Sequence, residues 1–226
     1  MQLISINIGQ ERTLQQNDRL VRTGIFKLST DQPVKVTALG LERDVIVDAK
    51  YHGGPDQAVY IYGAADYDWW REQLGREISP GTFGENLTIS ELESARFNVG
   101  DFLRVGEVTL QVTAPRFPCG TFAARMNDLQ WVKKFRDAER PGLYCRVIKD
   151  GFVKPGDPVS VEPYLGETLS ILHMYRAHYQ KDKNEEMVRL HLNAPIDIRT
   201  RKDMEKELDI LHNSATEHTE TFEKGT

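Results

Sequence analysis

The stretch VGDFLRVGEVTLQVTAPRFPCG, residues 99–120, contains the clearest strand pattern of the chain and one of its two cysteines. Apolar and polar residues alternate on both sides of Gly106 and Glu107, a pair typical of a two-residue turn in which glycine comes first. The pattern predicts a β-hairpin whose second strand runs into a loop. Two prolines stiffen this loop and withhold backbone donors, so it resists joining a regular sheet. The sequence therefore predicts a lone thiol, that of Cys119, in a rigid loop beside a sheet.

The composition is that of an ordinary globular protein. The chain has 226 residues, of which 39% are hydrophobic and 28% charged, and this length suits one large domain or one domain with an appendage. The net charge of −5 argues against nucleic acid as a stable partner, because binding to phosphate backbones usually needs a basic surface.

No segment of the sequence is expected to direct the chain to a membrane or an export pathway. The first residues, MQLISINIGQ, lack a basic segment and a long apolar run, and no later run reaches the roughly 20 apolar residues that a membrane span needs. Cys119 and Cys145 are too few for a disulfide framework. We therefore expect a cytoplasmic protein without a membrane partner.

Residues 1–163 are predicted to form a mainly β domain, because short alternating runs recur between turn signals. The segment AADYDWWREQLG changes to a helical period and predicts a helix that Gly75 ends. A further helix is predicted over residues 124–139. The run over residues 143–153 predicts a second hairpin that turns at an Asp-Gly pair.

The character of the sequence changes after the β domain. Three short helical patterns cover residues 168–212, and Ser170 and Asn184 are candidate caps for the first two. Such a unit is too small to be stable alone, so we expect it to dock on the β domain or on a second copy of the chain, as a homodimer. Residues 213–226 are polar and are predicted to be disordered.

Cys119 is the first candidate for chemistry. Arg116 stands three residues before it, and a nearby cation favours the thiolate, the form that attacks electrophiles or binds soft metals. Cys145 lies within a strand pattern and is predicted to be buried and inert. The residues alone leave open whether Cys119 is a nucleophile, a metal ligand or a packed side chain.

Three other segments carry the remaining candidates. His52 precedes Gly53 and Gly54, which let the backbone approach a ligand closely, and a histidine there can hydrogen-bond, move a proton or hold an anion. Asn86 follows a glycine-bracketed loop, and Thr23 ends a strand pattern. From the local sequence alone, each of these segments is also explained as an ordinary turn or strand end.

Several common chemistries lack their motifs. The chain has no C-x-x-C pair and no histidine pair at i and i+4, which argues against a structural zinc. It has no G-x-S-x-G nucleophile turn, no phosphate-binding loop ending in G-K-S or G-K-T, and no G-x-G-x-x-G fingerprint. An ordinary α/β-hydrolase and a dinucleotide-binding domain are therefore not expected.

A series of segments resembles the MOSC domain, the family named for the C-terminal domain of molybdenum cofactor sulfurase. In chain order these segments are TGIFK, HGGPDQAVYIY, FGENLTI, VGDFLRVGEVTLQVTAPRFPC and GLYCRVIKDGFVKPGDPVSV. The helical part resembles the small three-helix domain that follows MOSC in YiiM-like bacterial proteins. The resemblance implies a mainly β, barrel-like domain with peripheral helices over residues 1–163, followed by a three-helix unit over residues 168–212.

The resemblance also implies a cofactor and an activity. The cofactor is the molybdenum cofactor, a pterin dithiolene with a phosphate group, and the activity is reduction of N-hydroxylated compounds, with hydroxylamino-purines as candidate substrates. Cys119 matches the cysteine whose thiolate ligates molybdenum, and His52 is expected to supply a proton. Cofactor binding is expected of six residues: Thr23, Gly53, Gly54, Asn86, Arg116 and Arg146.

Gln57 departs from the family pattern, which often has a lysine after H-G-G-x-D, so no charge contact is expected from this side chain. The sequence also carries no flavin, haem or iron–sulfur motif. Electrons are therefore expected to come from a separate reductase, a flavoprotein.

Two other functions remain open. Cys119 and His52 could form a nucleophilic dyad that acts in hydrolysis or group transfer. Alternatively, the chain could hold the molybdenum cofactor or another anion as a carrier, without turnover.

Overall fold

The computed structural model describes residues 1–48 and 52–223, and for residues 214–223 it describes the backbone alone. Within these ranges the chain forms thirteen β-strands and six α-helices. The strands are β1 (Leu3–Gly9), β2 (Arg12–Gln16), β3 (Arg19–Thr23), β4 (Lys27–Thr30), β5 (Val34–Thr37), β6 (Gly40–Leu41), β7 (Val59–Gly63), β8 (Leu87–Ile89), β9 (Phe102–Val105), β10 (Val108–Pro115), β11 (Leu143–Lys149), β12 (Gly151–Val153) and β13 (Val159–Glu162). The helices are α1 (Ala64–Leu74), α2 (Gly120–Met126), α3 (Trp131–Ala138), α4 (Ile171–His178), α5 (Glu185–Asn193) and α6 (Ile198–Glu223).

The strands form three sheets, which confirms the prediction of a mainly β fold. The largest has the order β13-β9-β10-β11-β7-β8-β1-β4, in which only β7 and β8 are parallel. Smaller sheets are formed by β12, β5 and β6 and by the hairpin of β2 and β3. The large sheet is not a closed barrel in the described part of the chain. The edge strand β13 nevertheless approaches β1, the strand next to the opposite edge, because Gln2 forms an isolated bridge with Pro158.

The hairpin at residues 99–120 forms as predicted, with β9 paired to β10 across a turn at Gly106. The helix before Gly75 also forms as predicted, and Gly75 ends α1 in the left-handed conformation at a φ of 60°. Gly75 donates its N–H to the carbonyl of Arg71 over 2.9 Å, which satisfies one of the last carbonyls of the helix.

Two predicted elements were wrong. Strands β11 and β12 do not pair with each other, because β12 turns away and pairs with β5, where Val36 lies opposite Gly151. The helix predicted over residues 124–139 is two helices. It breaks at Asn127, which has a left-handed φ of 52°, and the Asp128 carboxylate accepts the N–H of Gln130 at 2.8 Å. Asn and Asp favour such local bonds over a continuous helix.

An aromatic cluster packs α1, α2 and α3 against the large sheet. Trp70 on α1 is buried and donates its indole N–H to the Tyr62 hydroxyl at 2.8 Å, so its polar edge is satisfied. Phe83 stacks on Tyr62 with 4.5 Å between ring centroids and meets Phe122 of α2 at 6.1 Å. These rings form the rigid base under the loop that carries Cys119.

The C-terminal helices pack on the β unit, as expected for a unit too small to be stable alone. Both predicted caps form, since the Ser170 hydroxyl accepts the N–H of His173 at 3.0 Å and the Asn184 side chain accepts that of Met187 at 2.9 Å. Ile171 donates its N–H to the carbonyl of Phe97 over 2.9 Å, which ties the start of α4 to the β unit.

The predicted disordered tail, residues 213–226, lies partly in α6. The backbone of α6 is helical through Glu223, because extending an existing helix adds one hydrogen bond per residue without a new nucleus. Residues 224–226 lie outside the described residues.

Candidate functional site

A cleft of about 630 Å³ lies between the β2–β3 hairpin and the loop that precedes α2. Its size is within the range of small-molecule sites. The cleft brings together six of the eight predicted site residues: Thr23, His52, Gly53, Asn86, Arg116 and Cys119. Segments far apart in the sequence therefore converge as predicted. Residues 49–51, which directly precede His52, lie outside the described residues.

Cys119 stands at the wall of this cleft on a loop held from two sides. The thiol is free and half-buried, at the residue that precedes α2. Gly120, the next residue, lies against the Gln16 side chain of the hairpin, and a larger residue here would displace the end of that side chain. On the other side, Phe117 stacks on His178 of α4 with 3.8 Å between ring centroids. The loop is therefore fixed rather than free.

Arg116 is a buried cation in the wall of the cleft, with 5% of its surface exposed. Its Nη1 donates to the Phe83 carbonyl, and the guanidinium lies over the rings of Tyr60 and Phe122, 4.9 and 4.6 Å from their centroids. Its Nε is buried and has no hydrogen-bond partner among the described residues. A guanidinium in the wall of a cleft is a good partner for an anion.

His52 also lines the cleft, but its acid–base character differs from the prediction. Burial, and next the Arg116 guanidinium, lower the pKa of His52 to about 4. Its Nδ1 lies 3.4 Å from the Tyr144 hydroxyl, a long contact, and burial raises the pKa of that tyrosine. At pH 7 the imidazole is therefore neutral in the ligand-free protein, so it holds no imidazolium proton to donate.

The lowered pKa makes His52 a source of acid sensitivity. An unfolded histidine titrates near 6.5, so between pH 6.5 and about 4 the unfolded chain binds a proton that the native chain does not, and stability falls as the pH falls. The unaltered protein loses stability between pH 7 and pH 4, and we expect His52→Gln to make this loss about 3 kcal/mol smaller. Urea unfolding of both proteins at the two pH values measures this, and an identical pH dependence would contradict it.

A buried ion pair lies beneath the cleft. Lys27 binds the Asp44 carboxylate, which also accepts the N–H of Gly9 at 2.7 Å and the amide of Asn86 at 2.8 Å. The side-chain oxygen Oδ1 of Asn86 accepts the N–H of Tyr60 at 3.1 Å. Asn86 is thus present in the cleft wall, as predicted, but both ends of its amide are used to hold β7 and Asp44 in place.

Thr23 reaches the cleft at the end of β3, where its hydroxyl accepts the N–H of Ile25 at 3.1 Å. Gly53 lines the cleft with a φ of 107°, a conformation that favours glycine. These two positions agree with their predicted placement.

Arg146 and Gly54 do not line the cleft. Arg146 lies 3.0 Å from the Asp56 carboxylate through its Nε, and its Nη2 donates to the carbonyls of Pro195 and Ile196 at 3.2 and 3.0 Å. Its guanidinium therefore holds the C-terminal helices against the β unit, and we remove it from the set of cofactor-binding residues. Gly54 faces Arg199 of α6, since a Cβ built on it would lie 3.9 Å from Nη2.

Several residues of the site were missed by the sequence analysis. Tyr60 and Tyr144 both line the cleft and flank Arg116, although their strand patterns indicated only packing. Lys27 was visible in the TGIFK segment, but its partner Asp44 carries no local signal. Cys145, by contrast, is buried in β11, where burial raises the pKa of its thiol, and it agrees with the prediction of an inert core residue.

The fold and the cleft together define a mainly β protein whose cleft contains one free cysteine thiol and one buried arginine. The model of the MOSC domain family matches residues 48–160, half of the chain. The chain belongs to the MOSC domain family, and MOSC domains in general are associated with binding of the molybdenum cofactor.

Three known proteins illustrate the relationship. The chain is 34% identical to the uncharacterized protein YflK of Bacillus subtilis over 182 residues, which cover 80% of this chain and 82% of YflK. It is 31% identical to a protein named reductase from Gibberella moniliformis, over 69% of this chain but only 28% of that protein. The crystal structure of YiiM from Geobacillus stearothermophilus superposes with a TM-score of 0.75 at 28% identity, over 92% of this chain and 98% of that one.

Among the described residues, no helix combines the length and the apolar character needed to cross a membrane.

Proposed function

We propose that this protein is a molybdenum-cofactor-dependent reductase of N-hydroxylated compounds, with hydroxylamino-purines and related nucleobase analogues as candidate substrates. One observation carries the proposal: the half-buried Cys119 thiol shares a cleft with the buried guanidinium of Arg116. A thiolate is a good ligand for a soft, redox-active metal, and a guanidinium is a good partner for phosphate. The molybdenum cofactor requires both kinds of partner.

The residues of the cleft fit this cofactor. Arg116 places a guanidinium in the same cleft as the Cys119 thiol, and a guanidinium is a good partner for anionic groups. Gly84 lies against the same side chain, since a Cβ built on it would come within 3.0 Å of Nη1. Any larger residue at position 84 would push against the arginine. Cys119 would hold the metal, while Arg116, Gly53 and Gln57 would hold the anionic groups of the pterin.

The reaction requires a supply of electrons and protons. Reduction of R–NHOH to R–NH₂ consumes two electrons and two protons and releases water. When bound, the cofactor would supply the two-electron chemistry, and a separate flavoprotein reductase would replenish its electrons. The chain would contribute orientation of the substrate in the cleft and control of proton transfer.

His52 is the proton carrier in this proposal, but only with the cleft filled. Its pKa of about 4 reflects burial and the nearby guanidinium groups of Arg116 and Arg199, whose effect the Asp48 carboxylate opposes. An anion beside the imidazole favours the protonated form and raises the pKa toward neutrality. His52 would then take up a proton from solvent as the cofactor or substrate binds, and release it at Nδ1 or Nε2 to the departing hydroxyl group.

Metal analysis of the purified protein tests the proposal. Protein produced in cells that make the molybdenum cofactor is expected to contain close to one molybdenum per chain, and to reduce 6-hydroxylaminopurine when a flavoprotein donor is present. Protein without molybdenum would contradict the proposal. Stable molybdenum without reduction would indicate a carrier, and turnover by metal-free protein through a covalent adduct on Cys119 would indicate a nucleophilic enzyme.

A further inference from the structure

Arg199, at the start of α6, reaches from the C-terminal helices to the wall of the cleft. Its Nη2 donates to the carbonyl of Gly53 at 2.9 Å, and its Nη1 donates to Oε1 of Gln57 at 2.6 Å. Gly53 and Gln57 both line the cleft, whereas Arg199 does not. The arginine thus lies behind two residues that a bound molecule would touch.

The position of Arg199 is itself fixed by several hydrogen bonds. The Asp197 carboxylate accepts the N–H groups of Arg199 and Thr200, each at 3.1 Å, and so caps the start of α6. Asp56, in the same loop as Gln57, accepts the N–H of Ile198 at 2.8 Å. The first turn of α6 is therefore fastened to the segment 52–57.

The contact with Gln57 also determines how that side chain meets the cleft. A guanidinium has only donors, so the Gln57 atom that it meets must be the carbonyl oxygen. The remaining polar group of Gln57 is its NH₂, which is a donor. Gln57 is neutral, whereas the family often has a lysine at this position. Its hydrogen bond to Arg199 leaves Gln57 with a donor group for a molecule bound in the cleft.

The contact with Gly53 acts on the backbone. Gly53 and Gly54 have φ angles of 107° and 87°, and two successive glycines leave this segment with many accessible conformations. A hydrogen bond to the Gly53 carbonyl fixes the peptide plane between the two residues, because the peptide unit is planar.

We propose that Arg199 is a positioning residue through which the C-terminal helical unit shapes the anion site of the cleft, by fixing the Gly53 backbone and orienting Gln57 as a donor. The inference rests on the proposed function for the identity of the natural anion, but the site itself can be examined with inorganic phosphate. Arg199 is also among the groups that lower the pKa of His52, so its charge is felt inside the cleft.

The test compares Arg199→Gln and Arg199→Lys with Lys202→Gln, which removes an exposed cation from the same helix. Phosphate affinity of the full-length, cofactor-free proteins is measured by calorimetry, and the amide signals of Gly53 and Gly54 by NMR. We expect Arg199→Gln to weaken phosphate binding about tenfold and to move both amide signals. Arg199→Lys should recover only part of the affinity, because an ammonium cannot hold both acceptors in a fixed fork. Lys202→Gln should behave as the unaltered protein.

A double-mutant cycle shows whether Arg199 acts through Gln57. In a Gln57→Ala background, Arg199→Gln should cost clearly less affinity for phosphate than in the unaltered protein. The contact of Arg199 with residue 57 is already lost there, and only its contact with Gly53 remains to be removed. Additive effects, full rescue by lysine, unchanged amide signals or no phosphate binding by the unaltered protein would each overturn the inference.

Failure of this inference differs from failure of the proposed function. Protein without molybdenum whose phosphate affinity still depends on Arg199 would refute the function alone. If the protein contains molybdenum but substitution of Arg199 changes neither the phosphate affinity nor the amide signals, the positioning role alone would be refuted.

Discussion

Replacement of Cys119 by serine is expected to abolish molybdenum retention and to lower reductase activity at least a hundredfold. A serine hydroxyl is a harder and poorer ligand than a thiolate for this metal, so the protein would lose the only sulfur that lines the cleft in the described part of the chain. The fold should be unaffected, because the side chain is half-buried and the change is nearly isosteric; the free energy of unfolding should change by less than about 1 kcal/mol. Molybdenum content per folded chain, with activity as a second readout, measures the effect.

Cys145→Ala is the matched control for that substitution. Cys145 is buried in β11, away from the cleft, so its loss should cost about 1 kcal/mol of stability and leave the molybdenum content unchanged. If Cys145→Ala released the metal while Cys119→Ser retained it, the assignment of the ligand would be wrong.

Arg116→Lys is expected to weaken phosphate binding by the cofactor-free protein about a hundredfold or more. The substitution keeps the charge but removes the planar fork that lies over two rings and donates to the Phe83 carbonyl. An ammonium cannot make the bidentate contact that a guanidinium makes with phosphate, and a loss of about 3 kcal/mol of binding free energy corresponds to a factor above a hundred. Calorimetric titration with phosphate measures the change in affinity.

Arg125→Lys makes the same change at a second arginine that lies over an aromatic ring, 4.4 Å from the centroid of Phe26. Arg125 does not line the cleft, so this variant should keep its phosphate affinity. Equal losses in both variants would show that the effect of Arg116→Lys comes from general destabilisation and not from the anion site.

The parts of the site that could be predicted from the sequence are local. Arg116 and Cys119 lie in one short loop after a hairpin, and the prolines that stiffen this loop are visible in the sequence. His52 and Gly53 are adjacent, so their shared location required no knowledge of the fold. The convergence of these two segments rested on the family resemblance, because no spacing along the chain links residues more than sixty positions apart.

The errors come from contacts that only the packed helices create. Tyr144 and Arg146 lie two positions apart on β11, and alternation would place both on the same face. The segment that leads into α6 covers the surface at Arg146, where the Pro195 and Ile196 carbonyls and the Asp56 carboxylate bind it. The cation that contacts Gly53 and Gln57 is instead Arg199, and the sequence around Arg199 indicates only that this residue belongs to a helix.

The acid–base behaviour of His52 is hard to predict from the sequence for a related reason. The ordinary pKa of histidine made His52 a natural acid at neutral pH, yet burial beside Arg116 lowers that pKa to about 4. Burial arises only when the cleft is assembled. The sequence around His52, which precedes two glycines, does not indicate that this side chain is buried.

The fastening of α6 to the segment 52–57 has a consequence for the order in which the protein matures. A chain is synthesised from its N-terminus, and domains tend to fold as they emerge, so the sheet with its cysteine loop can form before Arg199 has been made. During that interval the segment around Gly53 lacks its hydrogen bonds to Arg199, and Phe117 lacks the rings of the C-terminal helices on which it stacks. Under the proposed function, an incomplete cleft would therefore hold the cofactor poorly, and we expect cofactor loading to follow completion of the C-terminal helices.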